Sequence, residues 1–162
     1  VDAKTLVVRL RSEPGSEGIA LDTAARVARK LGFPAQRIDD LRTALSEAII
    51  NAIEHGSALH AKERVQVYFV PGANRLDVYV RDRSPRPLPD DVAMRPPPDI
   101  DDIVAGRASA RGWGSFLMRT LADQVEFRST PDGNVVKLVM YLSPPALATE
   151  AAGWHSRPAG AS

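Results

Sequence analysis

Glu47, Asn51 and His55 stand four residues apart in a stretch with helical apolar spacing, so the three lie along one stripe of a single helix. An amide oxygen beside a carboxylate suits Mg²⁺, with water and phosphate filling the remaining positions. The plainer account is a polar stripe joined by i,i+4 hydrogen bonds. Farther along, Gly112-Trp113-Gly114 opens another helix, where free backbone N–H groups and the positive end of the helix dipole attract an anion such as phosphate. An ordinary helix cap uses the same residues. Asp82 closes a β-rich segment, where its carboxylate can accept from the exocyclic amine of a purine; a turn-forming Asp at a strand end is the alternative.

These residues need elements to hold them. Thr5–Arg11 reads as a strand, broken at Pro14-Gly15. From Ser16 to Leu31, Ile19, Ala20, Thr23, Ala24, Val27, Ala28 and Leu31 recur at helical spacing, with Gly32 as the stop. A second helix is predicted over about Ala35–His55, its apolar side formed by Ile38, Leu41, Leu45, Ala48, Ile49 and Ala52, with Gly56 as its stop. Arg64–Val70 and Arg75–Val80 form an antiparallel hairpin across Pro71-Gly72-Ala73-Asn74. Prolines 85, 87, 89, 96, 97 and 98 then forbid regular helix or central strand, so residues 83–111 are expected to be irregular and to act as a lid or to be disordered. A third helix runs from Gly112 through Asp123, with Phe116, Leu117, Leu121 and Ala122 at its apolar positions and Met118 in the core. Val125–Ser129 and Val135–Leu142 make a second hairpin joined at Pro131-Asp132-Gly133. Helices beside antiparallel hairpins, without regular β-α-β alternation, favour an α+β two-layer sandwich over a Rossmann arrangement.

The 162 residues allow one domain with a proper core. We place that domain at 1–142, with the lid at about 84–111 and an Ala, Pro, Gly and Ser rich tail at 143–162. A formal net charge of +1 gives no whole-molecule field for nucleic acid or an anionic membrane, so protein partners are expected instead. Without cysteine, a disulfide scaffold, a thiol nucleophile and a cysteine-ligated metal are excluded. The start Val1-Asp2-Ala3-Lys4 has no signal-peptide core and no apolar run is long enough to cross a bilayer, so the expected location is cytoplasmic.

The order of parts is more specific than any one of them. A helix carrying Glu-x-x-x-Asn (Leu41–His55), a hairpin ending in Asp82, a long lid, a Gly-x-Gly helix (Gly112–Val125) and a final hairpin resemble the ATPase domain shared by gyrase, heat-shock chaperone, histidine-kinase and mismatch-repair proteins. Within that superfamily the chain is most similar to the small bacterial anti-sigma factors that are also serine-protein kinases. The resemblance spans nearly all of residues 4–142 and implies a histidine kinase-like ATPase (Bergerat) fold with a mainly antiparallel sheet. It further implies ATP and Mg²⁺ as cofactors, and a sigma factor and a phosphorylatable antagonist as partners; such proteins commonly form homodimers. By the same resemblance Asn51 holds Mg²⁺, Asp82 holds adenine, Gly112 and Gly114 approach the phosphates, and His55 helps line the site. Glu47 is the general base toward a partner serine. Arg107 and Arg111, just before the glycines, are candidates for balancing phosphate charge.

Three departures from the family pattern keep a second reading open, a catalytically weak or inactive module of the same fold that only binds a protein partner. Ser84 and Pro85 stand where a glycine commonly follows Asp82. The phosphate loop carries Arg111 and the bulky Trp113 where glycine is more frequent. The last hairpin has Asn134 in a run, Gly133-Asn134-Val135-Val136, that lacks the threonine often found there.

Overall fold

The computed structural model describes residues 4–56, 64–88, 96, 99–106 and 113–143. In chain order the elements are β1 (Leu6–Arg11), α1 (Gly18–Lys30), α2 (Ala35–Gly56), β2 (Arg64–Pro71), β3 (Arg75–Arg81), α3 (Ile100–Val104), α4 (Trp113–Leu121), β4 (Gln124–Thr130) and β5 (Gly133–Tyr141). The five strands form one sheet in the order β1-β2-β3-β5-β4, with every pairing antiparallel. The architecture is the expected α+β sandwich, a helical layer on one face of an open antiparallel sheet.

Period-two alternation builds the inner face of the sheet. Val67 pairs with Val80, Phe69 with Val78, and Val78 in turn with Leu138, so one apolar side of β2, β3 and β5 points the same way. These side chains are fully buried, together with Leu41, Leu45, Ala48 and Ile49 of α2. The expected apolar stripe of α2 is therefore its core stripe. At about 25 cal/mol per Å² of apolar surface removed from water, this layer contact is the main favourable term in the fold. α2 touches β2, β3 and β5 below it, and α1 and α4 on the helical layer.

α1 ends as its Gly32 stop requires: Gly32 takes φ +85°, its N–H donates to Arg29 O, and the Phe33 N–H donates to Ala28 O. The stripe read for α1 needs one correction. Ala20, Thr23, Ala24, Val27 and Ala28 are buried, but Ile19 is 69% exposed, because a helical stripe is buried only as far as a neighbouring element covers it, and Ile19 lies in the first turn. The irregular stretch needs another, since α3 is a short helix inside it. The prolines end at Pro98, and Asp99 then caps the new turn by accepting from the Asp101 N–H at 2.8 Å.

α4 crosses α2 head to tail and is clamped at its far end. Arg37, in the first turns of α2, is ion-paired with Asp123, and it also donates to Leu121 O at 3.4 Å and to Tyr141 O at 3.2 Å. Asp123 accepts from the Tyr141 N–H at 2.6 Å as well, so one carboxylate joins α2, the end of α4 and the end of β5. Both charged side chains are largely covered, and removing one leaves the other buried without its partner. Arg37→Ala is expected to lower folding stability by about 3 kcal/mol, read as a fall in the urea midpoint; a midpoint unchanged within error would show the clamp to be dispensable.

Candidate functional site

Two glycines lie against predicted residues, Gly114 against Glu47 and Asn51 and Gly133 against Asp82, each where a side chain would collide. Gly114 lies in the first turn of α4 and is buried against α2. A Cβ on it would stand 2.8 Å from Glu47 Oε2 and 3.2 Å from Asn51 Nδ2. Glu47 and Asn51, one turn apart and both half-buried, therefore meet the N-terminal turn of α4 at van der Waals range. Leaving out the side chain lets the carboxylate and the amide stand beside the first turn of α4, at the positive end of its dipole. An amide oxygen, a carboxylate and a dipole end make a donor set that fits a magnesium–phosphate group.

Gly133 plays the same part at the sheet. It adopts φ +127°, and a Cβ would lie 2.2 Å from the backbone oxygen of Asp82 and 2.8 Å from Arg83 Cα. Only glycine lets β5 begin so close to the end of β3. Asp82, just past β3, is buried. Its Oδ1 accepts from the backbone N–H groups of Ser84 and Asn134, both at 2.9 Å, and its Oδ2 accepts from Asn134 Nδ2 at 3.4 Å. A carboxylate has about four acceptor positions, so Oδ2 retains capacity for a further donor such as an amine.

The two residues read as departures thus contribute directly to Asp82. Ser84 gives its N–H, and its hydroxyl accepts from the Arg86 N–H at 3.1 Å. Asn134, counted at sequence level only as a missing threonine, holds both carboxylate oxygens. Its role was invisible because strand pairing, not sequence distance, sets residue 134 beside residue 82; the one available signal was the glycine directly before it. Gly112, Arg107 and Arg111 lie outside the described residues, as does the side chain of His55, although His55 itself belongs to the last turn of α2. Trp113 is half-buried, its ring edge-on to Phe116 with centroids 5.6 Å apart, and Met118 is fully buried as expected. Among the described residues no cluster of three His, Cys, Asp or Glu side chains could hold a metal unaided, so an ion at Asn51 would take most of its ligands from phosphate and water. No helix among them is long and apolar enough to cross a membrane.

Residues 10–140 match the family model of the histidine kinase-like ATPase domain. The chain belongs to that family. Family membership implies ATP binding. The domain is 32% identical over 136 residues to the serine-protein kinase RsbW of Bacillus velezensis, covering 84% of each chain. It is 28% identical over 134 residues to the anti-sigma F factor of Thermoanaerobacter sp., covering 81% of this chain and 89% of that one. Among solved structures it superposes on the RsbU and RsbW domains of a Mycobacterium tuberculosis protein with TM-score 0.61 at 19% identity, covering 88% of this chain and 34% of the other. A histidine kinase domain from Erythrobacter litoralis superposes with TM-score 0.52 at 19% identity, over 77% of this chain and 60% of that one. At this identity the two structures speak for the fold, which they share.

Glu47 holds its proton more tightly than an ordinary carboxyl, first because burial disfavours the charged form and second because Glu54 carries a like charge. Since the folded state binds this proton more tightly than the unfolded chain, the Glu47 contribution to stability falls as pH rises from about 4.3, the ordinary Glu value, toward the raised folded value. Glu47→Gln removes that penalty. The variant should gain stability relative to the parent as pH rises from about 4 toward neutrality, measured as paired urea midpoints; a constant difference across the range would refute the assignment.

Proposed function

We propose that this chain is an ATP-dependent anti-sigma factor with protein serine kinase activity. It works by partner switching, holding a sigma factor until an unphosphorylated antagonist protein displaces it, and phosphorylating that antagonist on serine. The observation that supports this most strongly is the meeting of Glu47 and Asn51 with Gly114, a carboxylate and an amide beside the first turn of α4 in an ATPase domain. The names carried by its relatives point the same way. The near-neutral charge suits protein partners rather than nucleic acid, and a cytoplasmic location and homodimerisation belong to the same proposal.

In this reading Asp82 accepts from the amine of the purine, and Gly112 and Gly114 let the start of α4 approach the phosphates. Asn51 is the residue that would hold magnesium, which when bound supplies charge neutralisation across the phosphate oxygens. Glu47 takes the proton of the partner serine as the seryl oxygen bonds to the γ-phosphorus and the bond to the departing ADP oxygen breaks. A carboxylate whose proton affinity is raised by burial is a better base than one in water. His55 lines the site, and Arg107 and Arg111 balance phosphate charge from the lid at about 84–111. A binding-only module is less well supported now that Ser84 and Asn134, two of the residues behind it, anchor Asp82.

Glu47→Gln and Asn51→Ala separate binding from chemistry. With labelled ATP-Mg²⁺ and the antagonist in single turnover, Glu47→Gln should bind ATP within about threefold of the parent yet transfer phosphate about 10²- to 10⁴-fold more slowly. Asn51→Ala should lose magnesium-dependent ATP binding while keeping its fold by circular dichroism. A Gln variant that transfers at the parental rate removes Glu47 from the chemistry. A parent that binds ATP and transfers nothing returns the protein to the binding-only module.

A further inference from the structure

Asn134 is 4% exposed and sits where two layers of hydrogen bonds cross. Its amide nitrogen donates to Asp82 Oδ2 at 3.4 Å and to Arg86 O at 2.9 Å, and its amide oxygen accepts from the Ser129 hydroxyl at 2.7 Å. Asp82 Oδ2 and the Arg86 carbonyl can only accept, so a single amide orientation satisfies the site. Ser129 Oγ in turn accepts from the Leu88 N–H at 2.9 Å. Pro85 and Pro87 have no N–H, and the three backbone donors left between 84 and 88 are all used: Ser84 on Asp82, Arg86 on Ser84 and Leu88 on Ser129. The chain that leaves Asp82 is strapped to the β4–β5 hairpin through two bonded side chains, Asn134 on the Arg86 carbonyl and Ser129 on the Leu88 N–H.

We propose that Asn134 is the positioning residue that sets the nucleobase selectivity of this site, by locking the Asp82 carboxylate in the one orientation that leaves Oδ2 as an acceptor for an exocyclic amine. The proposal rests on the ATP-binding reading above and adds to it the residue that enforces the base. An ionised carboxylate only accepts, so it attracts the 6-amino group of adenine and repels the 6-oxo group of guanine. That discrimination depends on where the carboxylate is held. Backbone N–H groups pin Oδ1 from two sides, and the Asn134 amide holds Oδ2. Asn134 bonds to Asp82, Ser129 and the chain at Arg86, so its loss should weaken base recognition.

Equilibrium binding of ATP-Mg²⁺ and GTP-Mg²⁺ to the whole chain tests this, with Asn134→Ala and Ser129→Ala beside the parent. The parent should prefer ATP. Asn134→Ala should bind ATP about tenfold more weakly, corresponding to one lost hydrogen bond to a charged group, with the ATP-over-GTP ratio reduced by a similar factor. Ser129→Ala, which frees the amide without touching Asp82, should show the same loss of selectivity in smaller measure and serves where Asn134→Ala does not fold. An unchanged ATP-over-GTP ratio in both variants overturns the proposal, as does an equal loss of ATP and GTP affinity, which is the mark of general structural damage. A parent that binds neither nucleotide overturns the ATP-binding reading itself, and this proposal with it.

Discussion

The register of α4 along α2 is the constraint on which the helical part of the site depends. At one end Gly114 lies against Glu47 and Asn51 with no room for a side chain, and at the other Arg37 is ion-paired with Asp123. The two helices run in opposite directions, so the contacts lie at opposite ends of one interface and leave no freedom to slide. A shift of one turn, about 5.4 Å, would set a side chain on Glu47 in place of the glycine. It would also pull Asp123 from a guanidinium that bonds three groups at once.

A second constraint acts in the sheet. β3 and β5 are neighbours although α3, α4 and β4 lie between them in sequence, and that pairing carries Asn134 to the end of β3. Gly133 permits the approach, and the buried Asp82 receives hydrogen bonds there. The helical layer thus presents a carboxylate and an amide, and the sheet presents a second carboxylate. In the proposed function the first pair serves the phosphate end of a nucleotide and the second its base end.

Residues 84–88 are tied to the β4–β5 hairpin by the Leu88 N–H on Ser129 and by the Asn134 amide on the Arg86 carbonyl, whereas α3 exposes Ile100 and Val104, the latter 82% exposed.

Local pattern determined much of this protein. Period 3.6 in Leu41–Ala52 and period two in Val65–Val80 specify a helix and strands with one apolar face each, and those faces became the core. Gly32 sets the end of α1 because the left-handed backbone it supplies is a local demand. The i, i+4 spacing of Glu47 and Asn51 likewise needed only helix geometry to put them on one stripe. What pattern could not decide was which elements touch. Nothing in the sequence pattern singles out Arg37, and Asn134 reads only as a missing threonine, yet each joins segments separated by many tens of residues. Such contacts are made by layers closing on one another, where burial turns an unremarkable polar side chain into one that must find a partner. Only the folded chain reveals which partner that is.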